Sequence, residues 1–291
     1  MIDASTKFIA LIGDPIEHSM TPVIQNAALE ALGLNVRNIA FRVRREEFKE
    51  AVYGAKALGI LGLMVTIPHK ESAAKIADEL DWLASLTGSA NLLHFCDDRI
   101  KGYNTDGYGA SQSLKNAGVD VVGKKVAIIG AGGAGRCLCF QMLLDGADCV
   151  HVFNRTYEKA LQLTEEVMQK LSHANVHAHQ LNVEELRKVL SEVDILINAT
   201  SVGMHPNEND TPVPKDCLHR HLVVFDIVYN PLETRLLREA TDVGAMTVNG
   251  VDMLVYTNVK AVEICVGVQP SFELMKQRCL QELRKRALRS T

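Results

Sequence analysis

Residues 126–135 read Val-Ala-Ile-Ile-Gly-Ala-Gly-Gly-Ala-Gly, a short apolar run that leads directly into a segment with four glycines. The apolar run is typical of a buried strand, and the following residues continue to Leu144 with a helical pattern. A G-x-G-x-x-G pattern between a strand and a helix is the fingerprint of a dinucleotide-binding turn, and a glycine-rich turn without a ligand is the alternative. The residues expected to receive a pyrophosphate are Gly130, Gly132, Gly133, Ala134 and Gly135.

The end of the next predicted strand distinguishes between the two nicotinamide dinucleotides. NAD-binding folds usually place Asp or Glu about 20 residues beyond the glycines, where the carboxylate binds the ribose 2′-OH. Here Asn154, Arg155 and Thr156 occupy that position, and Lys159 follows one helical turn later. An amide, a guanidinium and a hydroxyl suit a 2′-phosphate better than a carboxylate does. We therefore expect NADP, with NAD left open; a solvated loop charge is the alternative role of Arg155.

Strands and helices alternate through both halves of the chain. The predicted strands are residues 8–12, 36–43, 61–65, 126–129, 149–153, 195–197 and 223–226, with helices at 22–32, 45–58 and 157–171 and a helical C-terminus over 252–289. This alternation predicts an α/β fold of two domains. The first is an open α/β substrate-binding domain of residues 1–106 completed by 252–291. The second is a Rossmann domain of residues 107–251.

The composition excludes several classes of protein. The formal net charge of −4 provides no basic field for nucleic acid. No apolar run approaches the roughly 20 residues that span a bilayer, and the N-terminus lacks the pattern of a signal peptide. The seven cysteines are scattered without a Cys-x-x-Cys pair, which argues against a disulfide framework. We expect a cytoplasmic protein with neither a nucleic-acid nor a membrane partner.

Two histidine pairs have a spacing that could serve a metal ion. His177 and His179 are spaced two residues apart, as are His219 and His221, but no cysteine or carboxylate cluster accompanies either pair. Zinc sites normally combine such ligands in sets of three or four. We expect no metal site, and we expect these histidines to lie at the surface or in loops.

Residues 18–22 read His-Ser-Met-Thr-Pro immediately before the first predicted helix. Ser19 and Thr21 place two hydroxyls beside the N-terminus of that helix. They are suited either to capping the helix or to holding a carboxylate together with its N–H groups. The sequence leaves both roles open for Thr21.

Two further motifs carry groups suited to proton transfer. Lys70 ends the segment Val-Thr-Ile-Pro-His-Lys after the third predicted strand, and Asp106 lies in Gly-Tyr-Asn-Thr-Asp-Gly at 102–107. A lysine at a strand end is a candidate acid or base, because burial can lower its pKa. A lysine and an aspartate brought together would form a proton-transfer pair for the oxidation of an alcohol. A solvated lysine and a simple turn with a helix cap are the alternatives.

Taken in chain order, these motifs resemble the shikimate/quinate dehydrogenase family over nearly the whole length of the chain. The family pattern includes H-S-x-S-P, V-T-x-P-x-K, G-A-x-N-T, G-x-N-T-D-x-x-G, G-A-G-G-A-x-R, N-R-T, N-A-T-S-x-G-M, Y-N-P and G-x-x-M-L-x-x-Q-G. The matching segments here are 18–22, 65–70, 88–92, 102–109, 130–136, 154–156, 198–204, 229–231 and 250–254. Nine motifs in the same order are far more specific than any one of them.

The resemblance implies a role for each matching position. Lys70 and Asp106 would move the hydroxyl proton while hydride passes between NADP and a cyclic hydroxy acid, shikimate or quinate. The residues implied to bind the substrate are Ser19, Thr21, Thr66, Asn91, Tyr229 and Thr257. Those implied to lie along the nicotinamide end of the cofactor are Thr200, Ser201 and Met204, with Gly250 in the last motif. No metal is needed, because the cofactor carries the hydride.

Four positions depart from the family pattern. Thr21 replaces a serine, Met64 an asparagine, Leu92 a threonine and Thr257 a glutamine. Losing a hydrogen-bond partner in a polar pocket costs on the order of 1–3 kcal/mol. An amino-shikimate or another cyclic hydroxy acid is therefore an alternative substrate. A folate-type methylene dehydrogenase is a further alternative, which the His-Ser-x-Thr-Pro and Asn-Thr-Asp motifs disfavour. A non-catalytic NADPH-sensing module is another, which the retained Lys70 and Asp106 disfavour. The sequence leaves a homodimer open.

Overall fold

The computed structural model describes residues 2–290 and the side chains of residues 2–288. The chain divides into two compact units, Met1–Gly109 with Val255–Thr291 and Ala110–Leu254, which we call the first and second units. The chain therefore leaves the first unit, builds the second and returns to the first. The assignment of substrate binding to one unit and cofactor binding to the other stays a prediction.

The first unit contains a six-stranded mixed sheet. Its strands are β1 (Lys7–Gly13), β2 (Val36–Arg42), β3 (Gly62–Val65), β4 (Glu79–Leu80), β5 (Leu92–Cys96) and β6 (Arg99–Tyr103). They lie in the order β2-β1-β3-β5-β6-β4. Strands β2, β1 and β3 run parallel, whereas β5 is antiparallel to both β3 and β6. The parallel half agrees with the predicted β-α-β-α-β pattern.

Five helices accompany these strands. They are α1 (Thr21–Ala31), α2 (Phe48–Ala57), α3 (Lys70–Ile76), α4 (Trp82–Thr87) and α5 (Thr105–Asn116). The sequence predicted α1 and α2 but neither α3, α4, α5 nor the hairpin of β5 and β6. Helices α3 and α4 are too short to show a full apolar period. The hairpin turns at Asp97 and Asp98, both with positive φ, where glycine or asparagine would have marked the turn.

The second unit is built on a six-stranded sheet that is parallel throughout. Its elements are α6 (Gly133–Leu144), α7 (Tyr157–Lys170), α8 (Val183–Leu190) and α9 (Arg235–Asp242) with β7 (Lys125–Ile129), β8 (Cys149–Asn154), β9 (Val176–Gln180), β10 (Ile195–Asn198), β11 (Val223–Asp226) and β12 (Met246–Asn249). The order β12-β11-β10-β7-β8-β9 reverses direction between β7 and β10. That is the doubly wound order, and such sheets bind ligands at the switch point. The predicted α/β class is confirmed.

Two long helices end the chain, α10 (Gly250–Val266) and α11 (Phe272–Ser290). In the first unit, Ala261 and Val262 of α10 share a core cluster with Ile9 and Leu11 of β1. The alternate residues of β1, Ala10 and Ile12, belong to a second cluster on the opposite face of the sheet. The strand is therefore covered on both faces, which explains its continuous apolar sequence. No helix in the described part of the chain is both long and apolar enough to cross a membrane.

His177 and His179 lie in strand β9, so the expectation of a surface or loop position holds for His177 and is wrong for His179. His177 is exposed at the surface, whereas the His179 side chain is only 17% exposed. A short edge strand with alternating polar residues gives a weak signal in the sequence, and the prediction missed it. Among residues 2–290, no group of three potential ligands is arranged to hold a metal ion.

His151 on β8 is hydrogen-bonded to His179 of this pair and stacks against the ring of His177. Its Nδ1 lies 2.9 Å from His179 Nε2, and its Nε2 lies 3.4 Å from Cys149 Sγ. His179 Nδ1 in turn lies 3.2 Å from Glu185 Oε2. Burial, with a smaller contribution from the two neighbouring histidines, lowers the pKa of His151 to about 4. The ring is therefore neutral in the folded protein at neutral pH.

The depressed pKa of His151 predicts a loss of stability in acid. The unfolded chain takes up this proton near pH 6.5, whereas the folded protein takes it up only near pH 4. The contribution to stability is thus fully present above pH 6.5 and is lost as the pH falls towards 4. We expect the free energy of unfolding to fall by about 1–2 kcal/mol more in the wild type than in His151→Gln between pH 7 and pH 5. Urea unfolding of the wild type and the variant at pH 7 and at pH 5 measures this difference in the free energy of unfolding. His221→Gln, at an exposed loop position, should behave as the wild type; equal losses in all three proteins would contradict the prediction.

Candidate active site

Lys70 and Asp106 form an ion pair in the first unit. Lys70 is the first residue of α3 and Asp106 the second of α5, so each lies at the start of a helix that follows a strand of the sheet. Lys70 Nζ donates to Asp106 Oδ2 over 2.6 Å, and the two side chains are 32% and 19% exposed. The pair is therefore partly buried yet accessible to a small molecule. The structure brings together the two residues that the sequence proposed for proton transfer.

Asn91 holds the other oxygen of this carboxylate. Its Nδ2 donates to Asp106 Oδ1 over 2.8 Å, while its Oδ1 accepts from the backbone N–H and the hydroxyl of Thr105 at 2.8 and 3.2 Å. Asn91 is 3% exposed. Both oxygens of Asp106 are thus engaged, and the carboxylate has a fixed orientation. The sequence did not single out Thr105, although it lies inside the Asn-Thr-Asp motif.

Thr257 lies next to the same cluster. It is 7% exposed, and its Oγ1 donates to the carbonyl oxygen of Thr105 over 3.4 Å. Helix α10 therefore brings a residue from the end of the chain against the start of α5. The hydroxyl is turned towards the backbone.

Ser19, Thr21 and Thr66 also lie in the first unit, but the hydrogen bonds described above do not include them. Ser19 Oγ accepts from the N–H of Thr21 over 3.3 Å, so the serine satisfies one backbone donor at the start of α1. Thr66 follows β3, and its methyl group packs over Gly13, where a Cβ would lie only 2.4 Å away. Thr66 thus lies at the end of a parallel strand, whereas Ser19 and Thr21 lie at the start of α1, and the contact of all three with a substrate stays a prediction.

The glycine turn of the second unit has the geometry that a pyrophosphate requires. Gly130 has a φ of +108°, and a Cβ there would lie 2.8 Å from Thr200 Cγ2. A Cβ on Gly135 would lie 1.9 Å from the carbonyl oxygen of Gly130, so the third glycine permits close packing. Gly132, the N-cap of α6, and Gly133, its first residue, by contrast face open space. The N–H groups and positive dipole end of that helix therefore fit an anionic group.

The end of β8 is tied to this turn. Asn154 Oδ1 accepts from the N–H of Ala131 over 3.2 Å, and Asn154 Nδ2 donates to the carbonyl oxygen of Thr156 over 2.9 Å. Arg155, Thr156 and Lys159 are exposed around this asparagine. The cations suggested for a 2′-phosphate are thus accessible at the end of β8, which the asparagine joins to the glycine turn. The residues present fit NADP.

A buried polar pair supports the loop after β10. Asn198 Nδ2 donates to Asp226 Oδ1 over 2.9 Å, and Asn198 Oδ1 accepts from the N–H and hydroxyl of Thr200 at 3.1 and 2.7 Å. Asp226 also accepts from the Thr234 hydroxyl, and its burial raises its pKa to about 6. Neither Asn198 nor Asp226 was predicted to have a role in the site. The feature that could have identified them in the sequence is that each is a polar residue at the end of a buried apolar strand.

The remaining predicted site residues, three for the cofactor and Tyr229 for the substrate, differ in exposure. Ser201 and Met204 are exposed in the loop after β10, and Tyr229 is half-buried in the second unit. Gly250 is buried where α10 begins, and a Cβ there would lie 2.1 Å from the carbonyl oxygen of Ile227. Close backbone packing alone is a sufficient reason for glycine at this position. Its predicted contact with the cofactor stays a prediction.

Two family models match this chain. One, described as the shikimate dehydrogenase substrate binding domain, matches residues 11–93, and the other, shikimate / quinate 5-dehydrogenase, matches residues 112–255. The chain belongs to the shikimate/quinate dehydrogenase family. The resemblance inferred from nine motifs is thereby confirmed.

Individual relatives in this family match over almost the full length. The shikimate dehydrogenase (NADP(+)) of Methanopyrus kandleri is 44% identical over 285 residues, covering 97% of this chain and 98% of the relative. A crystal structure of a shikimate dehydrogenase in complex with NADP+ is 42% identical, with a TM-score of 0.91 and coverage of 97% and 98%. The shikimate 5-dehydrogenase of Listeria monocytogenes, in complex with shikimate and NAD, is 37% identical, with a TM-score of 0.91 and coverage of 95% and 97%.

Two departures from the pattern of the shikimate/quinate dehydrogenase family form a single structural unit. Met64 on β3 and Leu92 on β5 are directly opposite each other in the antiparallel ladder. They are 5% and 0% exposed and share the core cluster that contains Val262 of α10. An apolar pair has thus replaced two polar family residues at facing positions. Because both side chains are apolar, neither brings into this core a polar group that would need a hydrogen-bond partner.

Proposed function

We propose that this protein is an NADP-dependent shikimate dehydrogenase, which interconverts shikimate and 3-dehydroshikimate. The observation that carries the proposal is the ion pair of Lys70 and Asp106, held by Asn91 at the start of α5. The names of the relatives support the same reaction. A glycine turn that fits a pyrophosphate and the cations beyond β8 support the cofactor.

The reaction requires a proton to move on the oxygen that is bonded to the carbon that exchanges hydride. Bound NADP(H) supplies the hydride chemistry. In the reductive direction the Lys70 ammonium donates a proton to the oxygen that becomes the alcohol. In the oxidative direction the pair of Lys70 and Asp106 takes that proton back. Asp106, fixed by Asn91, orients the ammonium and offers an acceptor to a neighbouring hydroxyl of the ring.

The substrate contacts follow from the matching family positions. We propose that Ser19 and Thr21 hold the carboxylate, while Thr66, Asn91 and Asp106 bind ring hydroxyls. Thr257, with its hydroxyl on the Thr105 carbonyl, contributes mainly to the wall of the site. Tyr229 stays a predicted substrate contact.

The cofactor contacts divide into three groups. Gly130, Gly132, Gly133, Ala134 and Gly135 hold the pyrophosphate in this proposal. Arg155, Thr156 and Lys159, positioned by Asn154, hold the 2′-phosphate. Thr200, Ser201, Met204 and Gly250 lie along the nicotinamide end. The loop at Thr200 is held by a hydrogen bond to Asn198, which is itself hydrogen-bonded to the buried Asp226.

The alternatives raised from the sequence lose their support. The departures at Met64 and Leu92 suggested a different cyclic hydroxy acid, but both side chains pack into the core. The geometry of Lys70 and Asp106 argues against a module that only senses NADPH. A cytoplasmic location and a homodimer stay predictions; light scattering of the purified protein measures the second.

Turnover of the purified protein tests the proposed function. Reduction of NADP and, separately, NAD is followed at the nicotinamide absorbance with shikimate and with quinate. We expect rapid reduction of NADP with shikimate and a lower kcat/KM with NAD. An absence of turnover with shikimate, in a protein that is folded and binds NADP, would overturn the proposal. Faster turnover with quinate would correct the substrate and leave the reaction class intact.

A further inference from the structure

The last helix of the chain is hydrogen-bonded to the loop that precedes α1. Arg286 of α11 donates from Nη1 to the carbonyl oxygen of His18 over 2.7 Å and from Nη2 to that of Ser19 over 3.4 Å. These partners are 268 and 267 residues away in the sequence. The guanidinium therefore holds the backbone of the two residues immediately before Met20 and Thr21.

The guanidinium is itself held in place. Its Nε donates to Glu282 Oε1 over 3.1 Å, one helical turn earlier on α11, and the two side chains are 34% and 21% exposed. Three nitrogens of the planar guanidinium thus donate hydrogen bonds at the same time. An ammonium cannot reproduce this arrangement, because lysine is a single point charge on a flexible chain. The contact requires arginine rather than any cation.

The loop held by Arg286 carries the hydroxyls proposed to bind the substrate carboxylate. Ser19 donates its N–H to the carbonyl oxygen of Ile16, and its Oγ accepts from the N–H of Thr21. A shift of the His18 or Ser19 carbonyl would therefore move both hydroxyls. The guanidinium also places a positive charge close to the expected position of an anion, where Coulomb attraction is favourable.

We propose that Arg286 is a positioning residue that sets the affinity for the substrate carboxylate by holding the backbone of His18 and Ser19. The inference rests on the proposed function, because it assigns the carboxylate to Ser19 and Thr21. It places a determinant of substrate binding on the C-terminal helix. None of the nine family motifs includes this helix.

Steady-state kinetics of Arg286→Gln, Arg286→Lys and Glu282→Gln test the proposal. We expect Arg286→Gln to raise the KM for shikimate about ten-fold, with kcat within about two-fold and the KM for NADP unchanged. Arg286→Lys should recover part of this loss, and Glu282→Gln should show a smaller loss. Arg278→Gln, at an exposed position of the same helix, is the matched control and should behave as the wild type.

The methyl ester of shikimate separates carboxylate binding from general distortion of the site. Because the ester is uncharged, Arg286→Gln should change its KM far less than that of shikimate. Equal losses for acid and ester, or an unchanged KM for shikimate in a wild type that turns it over, would overturn the role of Arg286 alone. A wild type without turnover would overturn the proposed function and this role with it. If Arg286→Gln does not fold, Arg286→Lys and Glu282→Gln carry the comparison.

Discussion

The Lys70→Ala variant is expected to lose about 10³-fold in kcat for shikimate oxidation, because general acid–base groups contribute about 10²–10⁴-fold. Lys70 Nζ is the donor of the ion pair with Asp106, and the substitution removes the group that we propose to exchange the substrate proton. The KM for NADP should stay near that of the wild type. Steady-state rates with both substrates varied measure the effect.

Lys75→Ala is the matched control for this experiment. Lys75 is exposed near the end of the same helix, α3, and its removal should leave kcat unchanged. Asp106→Asn should lower kcat by about 10²-fold, because the amide keeps the shape of the side chain but removes its charge. If Lys70→Ala kept more than about a tenth of the wild-type kcat, Lys70 would not be the proton-transfer residue.

The Arg155→Gln variant should raise the KM for NADP by about 10- to 100-fold and leave that for NAD unchanged. A hydrogen bond to a charged group contributes about 1.5–3 kcal/mol, and only the 2′-phosphate of NADP would accept it. Arg155 is exposed, and its carbonyl oxygen keeps the hydrogen bond from Gln180 in the variant. The fold should therefore be unaffected.

The ratio of the two kcat/KM values measures the effect of Arg155 directly. Lys188→Gln removes an exposed positive charge from α8 in the same unit and should leave that ratio unchanged. A parallel loss with NADP and NAD would show that Arg155 supports the fold or the pyrophosphate instead. An unchanged ratio would show that Arg155 does not select NADP, and Lys159 and Thr156 would then be the residues to test.

Much of the second unit could be predicted because its strands are continuous apolar runs. Strands β7, β8, β10 and β11 are covered on both faces, so their sequences differ from those of their surroundings. Strand β9, at the edge, carries alternating histidines and was missed. In the first unit the hairpin of β5 and β6 was missed for a related reason. Its turn uses two aspartates at positive φ rather than the residues that usually mark such turns.

The residues of the site divide in a similar way, into those predicted from a local motif and those identified only from contacts between distant segments. Lys70, Asn91 and Asp106 were found because each lies in a short motif of the family pattern. Thr105, Asn198 and Asp226 act through hydrogen bonds to those motifs or to the loop at Thr200. Their partners are identified only once the strand ends are neighbours.

The sequence by itself determined the α/β class and the glycine turn, and it predicted NADP and the pairing of Lys70 with Asp106. These properties depend on residue type and on spacing within a few residues. Only the tertiary structure decided that Met64 faces Leu92 in the core and that Arg286 holds the carbonyl of His18. Strand register and helix packing bring together residues that are far apart in the chain. Burial of apolar surface is non-directional, so the local apolar pattern of a segment does not show which other segment it packs against.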